Sequence, residues 1–234
     1  MQLQTAAPAF VFGSLHQSRA YDFAMRLPLL GWSVFAATVQ MAGLARYMRD
    51  ADPALSYAVW AVNIAMRLST TGFLLLLAAA VILRARPTGK ARGLEPRISA
   101  FVGTFLSYAI PLCPRRELSV AAELASTVLI LGGSAAAFFT LSRLGRSFSL
   151  MAEARGLVTS GPYRFVRHPL YLAEELAVIG MSLQFFSLEA AFLLTAQIAF
   201  QLRRMHNEEA VLATTFPEYA IYRNNTARLI PGLY

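Results

Sequence analysis

The chain has little with which to build a redox or metal centre: Cys113 is its single cysteine, and there are three histidines. One cysteine cannot close an internal disulfide or supply a thiolate cluster, so Cys113 reads as a small buried apolar residue and no metal is expected. Charge is scarce as well. Only 15% of the 234 residues are charged against 56% hydrophobic, too few to cover the surface of a water-soluble domain. Lysine is nearly missing, since Lys90 is the only one and all other basic side chains are arginine. There is no glycine-rich dinucleotide fingerprint, Walker sequence, His-Glu-x-x-His pair or nucleophile elbow. The first 27 residues contain Arg19, Asp22 and Arg26 but no compact apolar core followed by a small-residue cleavage site. A cleavable signal peptide is therefore not expected, and the first helix itself should target the membrane.

What the chain does have is apolar length. Residues 27 to 45 are uncharged and bracketed by Arg26 and Arg46, enough for one membrane span. A second apolar stretch runs from Pro53 to Leu83, interrupted by Arg67, with the span in its later part. Residues 98 to 114 predict a third, near the minimum length and with Pro111 close to its end. A fourth runs from about Leu118 to Leu141 and carries Glu123 near its start. Two shorter runs, 169 to 186 and 188 to 202, are joined by almost nothing and predict a tight helical hairpin. The expected fold is all-α: a polytopic bundle of five or six transmembrane helices in a single membrane domain, with residues 1–118 as N-terminal spans and 119–234 as the functional core.

The net charge of +8 comes from arginines spread through loops, the pattern of topology signals, so no nucleic-acid partner is expected. Loop 84 to 97 holds five basic residues against Glu95, and loop 142 to 168 holds five arginines against Glu153. Loops 46 to 54 and 114 to 117 each carry two arginines. The positive-inside rule puts the two richer loops, both termini and the tail from Arg203 onward in the cytoplasm.

Polar residues concentrate in two places. Thr159 to Tyr171 contains a Ser160-Gly161-Pro162 turn and then Arg167-His168-Pro169, where proline suits the first helical position. At about 100° per residue, His168, Tyr171 and Glu175 share a face, while Glu174 points away and Leu170 lies about 200° from His168. Tyrosine and arginine also serve as plain interface anchors. Glu174 and Glu175 are harder to explain that way, because carboxylates within a span face a cavity or a partner. The second cluster, Arg203-Arg204-Met205-His206-Asn207-Glu208-Glu209, emerges from the last apolar run. Arg204 and Glu208 read as a surface ion pair four residues apart, yet both clusters sit at the same end of one hairpin and can form a polar pocket. Arg67 and Glu123 lie on helices expected to be neighbours, and Gly132-Gly133 reads as close helix packing.

Several motifs in order carry a resemblance: Leu144-Gly145-Arg146-Ser147-Phe148-Ser149, then Gly161-Pro162-Tyr163 and Arg167-His168-Pro169-Leu170-Tyr171. They are followed by Glu208-Glu209 with Leu212, Phe216, Tyr219 and Tyr222, and Arg228-Leu229-Ile230-Pro231. Residues 143–234 resemble the isoprenylcysteine carboxyl methyltransferase-like membrane methyltransferases. The resemblance implies S-adenosylmethionine as cofactor, held by Tyr163, Arg167, His168, Tyr171, Glu208 and Glu209. Arg204 with Glu175 or Glu174 is then left for the acceptor, a carboxylate needing the arginine and an amine or hydroxyl needing the carboxylate as base. The acceptor implied is a hydrophobic small molecule or lipid reached from the bilayer, with carboxyl O-methylation favoured and N- or S-methylation the alternatives. The implied setting is a bacterial inner membrane, with the active site facing the cytoplasm. Two positions depart from the family pattern: Ala173 where many relatives have glycine, and Phe216-Pro217-Glu218 where a phenylalanine-glycine pair usually precedes the acid. Ala173 adds one methyl group and should tighten a helix contact. The rival readings are an NADPH-dependent membrane reductase of the sterol reductase type, which has a similar Arg-His-Pro-x-Tyr segment, and a non-catalytic lipid-binding protein.

Overall fold

The computed structural model describes residues 23, 24, 26–50 and 56–232. Arg19, Asp22 and the leader reading that rests on them lie outside the described residues, as do Pro53, the rest of 51–55, and the terminal Leu233 and Tyr234. Among the described residues the order is α1 (Leu27–Arg49), α2 (Tyr57–Leu83), β1 (Gly89–Lys90) and α3 (Glu95–Phe105), which runs on into a 3-10 segment (Leu106–Leu112). Then come α4 (Val120–Leu144), β2 (Glu153–Ala154), α5 (Pro169–Gln184), α6 (Leu188–Thr215) and α7 (Tyr219–Asn225).

The protein is mostly helical, and α1, α2 and α4 are long and apolar enough to cross a membrane. Serine hydroxyls cap three helices, Ser56 on Val59 N, Ser119 on Ala122 N and Ser187 on Ala190 N, each satisfying an otherwise orphaned backbone donor. Hydroxyls inside the apolar helices bond back to their own backbone, as Ser33 does to Leu29 O and Thr127 to Glu123 O, so their polarity is hidden from lipid. Gly145, with φ of +51°, ends α4 in a backbone conformation that a side chain disfavours.

The predicted third span is not a continuous α-helix. Eleven α-helical residues reach about 16 Å, far short of the roughly 30 Å hydrocarbon core. Beyond Phe105 the chain tightens into 3-10 geometry containing Pro111, which has no N–H for an α-helical bond. The last apolar run differs in the opposite sense, being the first half of a longer helix. One helix carries the run and the polar cluster together to Thr215, so Arg204, Glu208 and Glu209 ride on the same rod as the apolar half.

Helix α4 packs against both α2 and α5, α1 packs on α2, and α3 lies along α6. Small residues allow the α4–α5 approach. A Cβ built on Gly133 would meet Ala177 N at 2.5 Å and Ala173 O at 2.8 Å, whereas Gly132 has nothing within 4 Å. Close packing thus belongs to one of the two predicted glycines, and the methyl group that faces Gly133 is that of Ala177, 2.8 Å from the built Cβ. Ser126 donates to Gly180 O at 2.7 Å, and Thr70 and Ser134 lie 3.0 Å apart, adding polar ties across α4–α5 and α2–α4. Arg67 and Glu123 do not meet: Arg67 sits over the Tyr47 ring, and Glu123 lies 3.9 Å from Arg115. Cys113 is free and only partly buried.

At one end of the helices β1 pairs antiparallel with β2, joining the two basic loops 84–97 and 142–168. The tail lies beside the second loop, as predicted, through a parallel bridge between Val166 and Ala227.

Candidate functional site

Three segments converge where α5 begins. The backbone N–H groups of Arg167 and His168 donate to the carbonyls of Ala227 and Arg228 at 2.8 and 3.1 Å, so the tail is stapled across the first turn. Beneath the staple, the Glu209 carboxylate of α6 accepts from Arg167 Nε at 2.9 Å, His168 Nε2 at 3.1 Å and Arg228 Nη2 at 2.6 Å. A carboxylate can only accept, so His168 Nε2 carries the proton. Burial pushes the Glu209 carboxyl up, but hydrogen bonds from His168, Arg228 and Arg167 outweigh it and hold the group far below the usual carboxylate range.

Glu208, one residue earlier, faces elsewhere. It accepts from the Tyr171 hydroxyl and from Arg204 Nε, the latter at 3.2 Å. Two groups lie against the Tyr171 ring: His168 stacks on it at 5.4 Å and 11°, and the Arg204 guanidinium lies 4.7 Å from its centroid. Arg204 also donates to Thr104 Oγ1 at 2.9 Å and to the Ser149 carbonyl at 3.3 Å. The predicted surface ion pair is therefore buried, with Arg204 only 3% exposed, because α3 and the 142–168 loop close over it.

A cavity opens beside this cluster, lined by Tyr163, Arg167, His168, Leu170, Tyr171 and Glu208. Loop residues Phe148, Ser149, Met151, Glu153 and Arg155 supply another side, and Tyr219 and Tyr222 of α7 a third. Five of the six residues assigned to the cofactor thus share one wall. The sixth, Glu209, is not on it and holds the wall residues from behind. Leu170, predicted to face lipid or a packing neighbour, lines the cavity and joins the core with Leu141 and Ala173.

Neither Glu174 nor Glu175 lines the cavity, and helical periodicity chose the wrong one as the nearer. Glu174 interacts electrostatically with Arg204, Glu175 and Glu208 and accepts from Gln201 Nε2 at 3.4 Å. Glu175 turns toward α6 and accepts from Gln197 Nε2 at 2.8 Å. The ideal helical wheel was anchored on His168, but His168 is the residue before the helix, with φ of −124° and ψ of 55°, so the 100° step does not apply between it and α5.

Sequence reasoning missed Glu153 and Arg155, whose charges it counted only as topology signals. The Arg155 side chain is fully buried against Glu153 and the Ala85 carbonyl, while Glu153 also accepts from Ser149 Oγ at 3.0 Å and faces Lys90 at 3.7 Å. Two residues apart in an extended segment they share a side of the chain, the one available signal. Tyr222 belonged to the motif without a role. Its hydroxyl donates to the Tyr163 carbonyl at 2.6 Å, and burial, eased by Arg167 and reinforced by Glu209, pushes the phenol up to about 12. It stays protonated as a donor. Burial first, then the charges of Glu208 and Glu174, also raise the Tyr163 phenol above its ordinary value.

The fold and site define a helical membrane protein with a polar pocket at one end of its helices, built mainly from its C-terminal half. Within that half, residues 125–214 match the isoprenylcysteine carboxyl methyltransferase family, a family of membrane methyltransferases. The chain is also 32% identical over 108 residues to the cobalt-zinc-cadmium resistance protein CzcN of Cupriavidus metallidurans, covering 45% of this chain and 50% of that protein. It is 28% identical over 99 residues to the nickel-cobalt-cadmium resistance protein NccN of Alcaligenes xylosoxydans xylosoxydans, covering 40% and 46%. The chain spans about half the length of the curated relatives it matches.

Proposed function

We propose that the protein is an integral membrane methyltransferase that transfers a methyl group from S-adenosylmethionine to a hydrophobic or lipid-like acceptor. The observation that carries this reading is the cavity wall on which Arg167, His168, Tyr171 and Glu208 meet, within the segment matching a methyltransferase family. The residues present suit the cofactor. Glu208 is a carboxylate for its ribose hydroxyls or ammonium, Arg167 is a cation for its carboxylate, and the tyrosine rings offer faces for adenine or sulfonium. Tyr219, on the same cavity, has a buried hydroxyl with no protein partner, a polar atom that a ligand would satisfy.

When bound, S-adenosylmethionine supplies a methyl group on a positively charged sulfur. The chain's own part is alignment and exclusion of water. Glu209 fixes Arg167 and His168, and Arg204 and His168 both pack against the Tyr171 ring. Helices α5 and α6 are proposed as a hairpin dipping into the bilayer. Phe192, 72% exposed on the apolar half of α6, supports a lipid-facing surface there, and the acceptor would arrive between these helices. Including the hairpin, and α3 with its 3-10 segment as a partial span, keeps the count at five or six membrane-embedded elements. The pocket is proposed to face the cytoplasm of a bacterial cell, because the basic loops joined by β1 and β2 flank it.

The test is calorimetric titration of purified protein with S-adenosylhomocysteine and, separately, NADPH. Saturable binding of the former with a rise in melting temperature is expected. Binding of NADPH alone would sink the methyltransferase reading in favour of a reductase, and binding of neither would favour a non-catalytic lipid-binding protein.

A further inference from the structure

Next to Arg204 and Glu208, between α5, α6 and α3, lies a buried polar group that the cofactor reading does not use. Glu174 and Glu175 project from α5, and Gln197 and Gln201 from α6, both glutamines 2% exposed. Their donors are committed: Gln201 Nε2 to Glu174, and Gln197 Nε2 to Glu175 and to the Gly103 carbonyl at 3.2 Å. Three oxygens in the group, Glu175 Oε2, Gln197 Oε1 and Gln201 Oε1, are buried with no hydrogen-bond partner. The two amide oxygens can only accept, and Glu175 Oε2 does the same as a carboxylate, so a group that satisfies them donates.

The charges point the same way. Glu174 faces Glu175 and Glu208, and Arg204 is the one cation in that set. Arg204 is already bonded to Glu208, Thr104 and the Ser149 carbonyl. An incoming carboxylate would have to compete with Glu208 for that guanidinium and sit against two further carboxylates. A protonated amine meets negative charge and free acceptors instead.

Resting on the methyltransferase reading, we propose that the methyl acceptor is an amine on a hydrophobic body, received by Glu174, Glu175 and Gln201, and not a carboxylate. In the transfer Glu174 takes one proton from the bound ammonium, the freed lone pair forms the new N–C bond as the C–S bond of S-adenosylmethionine breaks, and the C–S electron pair stays on sulfur, so that the product leaves as the methylated ammonium.

The experiment uses the full chain in phosphatidylcholine nanodiscs with methyl-labelled S-adenosylmethionine and three acceptors of equal chain length: dodecylamine, dodecanol and dodecanoate. Label transfer to the amine should exceed that to the carboxylate by roughly ten-fold or more. The amine should also raise the melting temperature where dodecanoate does not. Gln201→Leu should raise the KM for the amine several-fold while S-adenosylhomocysteine affinity is unchanged, and Glu174→Gln should remove transfer to the amine with that affinity retained. Transfer or stabilisation by dodecanoate or dodecanol equal to that by the amine overturns the proposal. If S-adenosylhomocysteine still binds in that case, the methyltransferase reading stands; if it does not bind at all, both fall.

Discussion

Glu208 and Glu209 are adjacent on α6, yet about 100° of helical rotation gives them different neighbours. Glu209 is 5% exposed and faces Arg167, His168 and Arg228, so Glu209→Gln leaves three cationic or donor groups without their counter-charge. Loss of about 3–5 kcal/mol of stability is expected, read by denaturant unfolding in detergent. On the sequence alone Glu208 pairs with Arg204 and Glu209 has no protein partner, so this contribution to folding is visible only in the structure. Glu208→Gln should unfold much nearer to the parent and instead weaken S-adenosylhomocysteine binding about ten-fold by calorimetry, since this carboxylate faces the cavity. The pH dependence has a definite sign. Because the folded-state pKa of Glu209 is depressed, its stabilisation is complete above its unfolded value of 4.5 and is lost progressively as pH falls from there through the depressed value. The melting temperature should therefore fall below about pH 4.5, and the Gln variant should show a flatter acid limb over the same window.

At the scale of elements, the approach of α4 to α5 depends on where side chains are missing. Gly133→Ala puts a methyl group into the backbone of Ala177, while Gly132→Ala enters open space. The first should cost about 1–3 kcal/mol and the second should be silent within error, two helix-favouring changes that differ only in direction. Equal melting temperatures for the two would mean that α4 is rotated from the arrangement described. The tail is a second element whose position depends on a few bonds. Tyr222→Phe removes a donor to the Tyr163 carbonyl and should cost about 1 kcal/mol, with faster hydrogen exchange in the 159–168 turn as the readout.

At the scale of the whole molecule, loops 84–97 and 142–168 share one end through β1 and β2, while Tyr57 begins α2 at the end opposite to the one where Leu83 leads into loop 84–97. Cys113 is the only thiol to remove, so single cysteines can be placed on a Cys113→Ser background. Leu94→Cys and Tyr57→Cys occupy exposed positions, 71% and 80% accessible. In intact cells an impermeant maleimide should label Tyr57→Cys and reach Leu94→Cys only after permeabilisation. The reverse pattern would invert the proposed orientation and move the pocket to the outer face.

By itself the chain's composition determined that this is a helical membrane protein, because a shortage of charge and uninterrupted apolar runs are properties of the solvent a segment must meet and need no partner. Tyr163, Arg167, His168, Tyr171 and Glu208 were named together through the family resemblance that the order of their motifs carries, and the fold shows that they line one cavity. Only the tertiary structure decided the rest. It separated Glu208 from Glu209, brought Thr104 and Ser149 onto Arg204, placed Glu174 nearer that arginine than Glu175, and put Leu170 on the cavity. Each of these depends on what another element places opposite the side chain, and helical periodicity carries only the direction in which a residue leaves its own helix.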